Sequence, residues 1–118
     1  MQYLLLIYSA KGADPQPGSE EFGPFMNDYF AFTQEVKERG IFEAGQPLED
    51  VNTATTVRVR NGKTEIVDGP FAETKEVLGG YYLLNCESLD EALECAAKIP
   101  TAEYGSIEVR PIMTLPEG

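Results

Sequence analysis

Acid–base chemistry without histidine needs paired carboxylates. This chain sets Asp68 and Glu73 five residues apart in the run Asp68-Gly69-Pro70-Phe71-Ala72-Glu73-Thr74-Lys75-Glu76. A carboxylate held in an apolar cleft has a raised pKa and moves protons near neutral pH. On that reading Asp68 and Glu73 are the catalytic pair, with Lys75 or a phenol such as Tyr82 as electrophilic helper. Phe71, Lys75, Tyr82 and Tyr29 are the residues expected to touch the ligand. Two other readings use the same residues. In one, Asp68 orients a small polar ligand or a partner peptide in a non-catalytic, regulatory dimer. In the other, Asp68 is a turn former whose carboxylate accepts backbone N–H groups two residues on. Asp68, Glu73 and Glu76 also offer oxygen ligands to a hard cation. Without His, and without the spaced carboxylates of a calcium loop, no metal site and no cofactor are expected.

The 118 residues include no His, which removes the commonest general base and every triad built on it. The formal charge is −11, from 9 Lys plus Arg against 20 Asp plus Glu. Such a surface repels a nucleic-acid backbone or an anionic membrane, so neither is expected as a partner. Cys86 and Cys95 lack metal-ligand spacing and read as two reduced, packed thiols. The N-terminal apolar run Tyr3 to Tyr8 has no basic flank and is too short to span a bilayer, so a cytoplasmic location is expected. The length suits one domain, residues 1–118, with a single core.

The elements that must position these side chains follow from pattern. Residues 2 to 8 and 81 to 84 are apolar at both parities, which predicts strands covered on both faces. Phe25, Met26, Tyr29, Phe32, Thr33 and Val36 keep helical spacing, with Pro24 suited to the first turn and Gly40 to the stop. Asn61-Gly62 between alternating runs predicts a hairpin in which Val57 faces Ile66 and Arg58 faces Glu65. Ser88 with Glu91 forms a capping box that opens a second helix, stopped by Pro100. Ser106 to Met113 reads as a last strand.

Strand, helix, hairpin, strand, helix, strand is close to the split βαβ order of a ferredoxin-like α+β sandwich. Such a sandwich has an antiparallel sheet with two helices on one face. Two helices cover one sheet face only, so the second cover is expected from another copy of the chain, a homodimer. If the hairpin strand runs on to Asp68, its side chain points with Ile66 toward the buried side, which predicts a mostly buried Asp68.

Thr55-Thr56-Val57-Arg58-Val59-Arg60, the run Asp68 to Glu76, Gly79-Gly80-Tyr81 and Glu108-Val109-Arg110-Pro111 together resemble the YCII-related family, in its DGPF-motif branch. The resemblance covers nearly the whole chain. It implies the dimeric α/β barrel version of the ferredoxin-like fold, with two sheets face to face and a cleft on each side. It implies an unidentified small molecule as the ligand and a regulatory setting. The alternative is a small-molecule enzyme of isomerase, lyase or dehalogenase type. The His–Asp pair of some members cannot form here, because this chain has no His.

Overall fold

Leu5, Val36 and Leu84 are completely shielded from solvent, and they come from three different elements that meet over one sheet face. The computed structural model describes residues 1–116. The order is β1 (Gln2–Ala10), α1 (Phe22–Glu38), β2 (Phe42–Pro47), β3 (Thr55–Arg60), β4 (Lys63–Asp68), β5 (Glu76–Asn85), α2 (Leu89–Lys98) and β6 (Ser106–Pro111). Short 3-10 turns at Val51–Thr53 and Pro100–Glu103 complete it.

The main sheet runs β2-β5-β1-β6, with every pairing antiparallel. With the β3–β4 hairpin set aside, this is the ferredoxin-like order, and the α+β sandwich is as expected. In β1, Tyr3, Leu5 and Ile7 face the helices and are buried with Phe32, Val36, Ala92, Cys95 and Ala96. Leu4, Leu6 and Tyr8 point the other way and are only half-buried, as are Tyr81 and Leu83 opposite them. The apolar content at both parities therefore corresponds to one face under helices and one open face in the single chain.

α1 begins at Phe22, and Pro24 sits in its first turn as expected, where its missing N–H would have no partner. Gly40, at φ 72°, takes the left-handed turn that ends it. Ser88 caps α2 by accepting from the Glu91 N–H at 3.2 Å. The Glu91 carboxylate reaches back to the Glu87 N–H at 2.8 Å. That is one residue beyond the usual capping box. Ion pairs Arg39–Glu91 at 2.9 Å and Lys98–Glu35 at 3.0 Å join the two helices along their exposed edge.

The hairpin has the expected register, with Val57 opposite Ile66 and Arg58 opposite Glu65. Asn61 and Gly62 both take positive φ, as a two-residue turn of this hand requires. Its placement differs from expectation. It forms a separate two-stranded sheet, and every residue of β4 is exposed. The argument for a buried Asp68 therefore fails, because the face shared with Ile66 meets solvent in the single chain. Among the described residues, no helix is long and apolar enough to cross a membrane.

Candidate functional site

A cleft of about 610 Å³ lies where the open sheet face meets the base of the hairpin. Tyr8 and Leu78, partners across β1 and β5, belong to its lining. One wall is the segment from Leu48 to Ala54, and the other is Pro70, Phe71, Ala72 and Thr74. Asp50 shapes the first wall by capping the 3-10 turn, its carboxylate accepting from the Asn52 N–H at 2.8 Å. The second wall is fixed to the first by the Gly69 N–H donating to the Ala54 carbonyl at 2.7 Å. The Thr56 hydroxyl donates to the Gly69 carbonyl at 2.8 Å. The Thr74 hydroxyl donates to the Glu76 carbonyl. Phe71 is held there with its ring 77% exposed.

The site residues expected from sequence fall into three groups. Phe71 lines the cleft. Asp68, Glu73 and Lys75 come from the same segment but are exposed and outside the lining. Tyr82 and Tyr29 lie under the other face of the sheet. Tyr82 pairs with the buried Leu5, and its hydroxyl lies 2.7 Å from Thr33 Oγ1 of α1. The Tyr29 hydroxyl lies 2.5 Å from Thr101 Oγ1, and burial, its largest influence, pushes it up to about 12. Both phenols are hydrogen-bonded to threonine hydroxyls inside the helix layer. The carboxylates that do line the cleft are Glu49, Asp50 and Glu76, and no Lys or Arg joins them. Glu76 accepts from the Ser106 hydroxyl at 2.8 Å. Sequence reasoning missed Tyr8 and the Leu48–Ala54 wall. The signal for Tyr8 was there, because it shares parity with Leu4 and Leu6 on the second apolar face.

A second hollow of about 650 Å³ between α1 and α2 shares no residue with the cleft. Its charged rim includes Glu35 and Lys98, which already pair with each other. Cys86 and Cys95 are buried and free, and burial raises both thiols, Cys86 to about 11. Neither is an available nucleophile. Among the described residues, no cluster of His, Cys, Asp or Glu is arranged to hold a metal ion.

The sequence profile of the YCII-related domain matches residues 1–116, spanning sheet, helices, hairpin and cleft together. The chain belongs to the YCII-related family. An uncharacterized protein from Rhizobium meliloti (strain 1021) is 40% identical over 114 residues, covering 95% of this chain and 92% of the relative. Among solved structures, the 5-chloro-2-hydroxyhydroquinone dehydrochlorinase of Burkholderia phenoliruptrix AC1100, in complex with 2,5-dihydroxybenzoquinone, aligns with a TM-score of 0.48 at 16% identity. That alignment covers 96% of this YCII-related chain and 94% of the other.

Proposed function

We propose that this YCII-related chain is a small-molecule-binding homodimer whose ligand sits in the cleft beside the Asp68-Gly69-Pro70-Phe71 turn. The observation that carries this reading is the lining. Tyr8, Leu48, Val51, Phe71 and Leu78 supply apolar and aromatic walls, and Glu49, Asp50 and Glu76 supply the only charges. Apolar walls with a few convergent polar groups are the usual makeup of a small-ligand site. With carboxylates and no cation, this one favours an uncharged or cationic ligand over an anion. The homodimer follows from the open face of Leu4, Leu6, Tyr8, Tyr81 and Leu83. A second sheet packed there makes the dimeric α/β barrel, with a cleft on each side. A regulatory, ligand-sensing role in the DGPF-motif branch fits a site that holds a molecule without an evident nucleophile.

The enzyme alternative keeps one supporting observation: Glu76 and Asp50 put carboxylates against the cleft. On this alternative the acid/base role passes to them from Asp68 and Glu73.

Benzylamine, benzyl alcohol and benzoate share one ring and differ in charge, so they test the reading by thermal shift. A ligand at tenfold its dissociation constant adds about 1.4 kcal/mol of stability. Benzylamine and benzyl alcohol should raise the melting temperature, and benzoate should not. Phe71→Ala should abolish the rise while changing the unliganded stability by no more than about 0.5 kcal/mol, because the ring is exposed. Equal stabilisation by benzoate, or an undiminished shift in Phe71→Ala, would refute the assignment.

A further inference from the structure

Ser106, the first residue of β6, pairs with Tyr8, and Tyr8 pairs with Leu78 across β1 and β5. Residues directly opposite on neighbouring strands point to the same side of a sheet, so all three lie on the open face. Glu76 stands two residues before Leu78 in β5 and takes that face too. Its partner on β1 is Ala10, whose short side chain leaves the way across β1 clear. The Glu76 carboxylate crosses there and accepts from the Ser106 hydroxyl at 2.8 Å. β5 and β6 flank β1, so this contact bridges two strand spacings, about 10 Å. Glycine at position 105 lets β6 come this close, because a Cβ there would collide with the Tyr8 carbonyl oxygen.

The carboxylates of the cleft are not equivalent. Glu49 and Asp50 are exposed, and Asp50 already caps its 3-10 turn. Glu76 is half-buried. Among the described residues, no Lys or Arg pairs with it, and only one of its two oxygens accepts a hydrogen bond from the protein. A carboxylate partly withdrawn from water attracts a cation more strongly than an exposed one, because its field is less screened. The rings of Tyr8 and Phe71 in the lining attract a cation through their faces. Leu48, Val51 and Leu78 favour an apolar body beside it. The net charge of −11 draws small cations toward the molecule as a whole.

We propose that the cleft selects a protonated amine carried on an aromatic or aliphatic body, with Glu76 as its counter-ion and Ser106 as the residue that aims the carboxylate. This rests on the ligand cleft proposed above and deepens it, since an uncharged ligand would satisfy that reading and not this one. Ser106 lies outside the lining and acts only through Glu76, which makes it a positioning residue.

Benzylamine and benzyl alcohol differ only in the group that meets Glu76. Calorimetric titration near neutral pH measures the ratio of their affinities. It is run on the native chain, on Glu76→Gln, which keeps an oxygen for Ser106 but loses the charge, and on Ser106→Ala and Ser106→Thr. A hydrogen bond to a charged group strengthens binding by roughly tenfold or more, so the native chain should prefer benzylamine by about that factor. Glu76→Gln should bring the ratio close to one. Ser106→Ala should lower it by about threefold or more, and Ser106→Thr, which keeps the hydroxyl, should restore it. Glu49→Gln removes the same charge from the exposed rim and should lower the ratio less than Glu76→Gln does. Circular dichroism checks that each variant keeps the fold. Three results would overturn the assignment and leave a small-molecule cleft standing: a native ratio near one with both ligands bound, equal effects of Glu49→Gln and Glu76→Gln, or loss of both ligands from a folded Glu76→Gln. An unchanged ratio in Ser106→Ala would overturn the positioning role. Binding of neither ligand to the native chain would overturn the cleft reading along with this one.

Discussion

Tyrosine hydroxyls and the Cys86 thiol, not carboxylates, are the strongly perturbed groups among the described residues. Tyr29 is pushed up to about 12, chiefly by burial, with the Asp14 carboxylate adding to it. Burial raises Tyr82 as well, and Tyr104 is raised by burial and by its hydrogen bond to Asp14. The neutral phenols therefore contribute stability that is fully present below pH 10. For Tyr29 that contribution is lost as pH rises through about 12. Ultraviolet titration should show Tyr29, Tyr82 and Tyr104 ionising late, and Tyr29→Phe should remove one late step. The same substitution leaves the buried Thr101 hydroxyl without its partner, and should cost about 1 kcal/mol or more near neutral pH. Six phenols ionising together near pH 10 in the folded protein would contradict this account.

At the scale of elements, Gly105 lets backbones approach more closely than a side chain allows. A Cβ at Gly105, just before β6, would sit 2.2 Å from the Tyr8 carbonyl oxygen. At Gly79, in β5, the nearest atom is 3.9 Å away. Gly105→Ala should therefore destabilise by about 1–3 kcal/mol. Gly79→Ala should stay within about 1 kcal/mol. Denaturant melts of the two variants check this, and equal costs would mean β6 does not run where it is placed. Most elements were legible in the sequence because each carries its own local signal. Asn61-Gly62 dictates a turn, Ser88 a cap, Pro100 a stop, and the alternation around Val57 a register. What was not legible is where the hairpin goes. Period-two alternation reports that one face is apolar, but the same pattern suits a strand of the main sheet and a separate two-stranded arm. Asp68 was misplaced for that reason alone.

Over the whole molecule, the site is a junction of segments distant in sequence. Tyr8, the Leu48–Ala54 wall, Phe71 and Leu78 meet only after β1 and β5 pair and the hairpin base is tied by Gly69 and Thr56. Phe71 could be singled out from its motif. The Leu48–Ala54 wall has no chemical signature, since Asp50-Val51-Asn52-Thr53 reads as any capped turn. The open face, by contrast, was visible as apolar residues at both parities of β1 and β5. The central claim is that a small ligand occupies this cleft and not the hollow between the helices. Titrating the ¹⁵N-labelled protein with benzylamine and following its amide resonances tests that claim most directly. The account predicts shifts concentrated at Thr53, Phe71, Thr74 and Leu78. Shifts concentrated instead at Phe25, Lys98 and Glu103 would place the ligand on the helix side and contradict it.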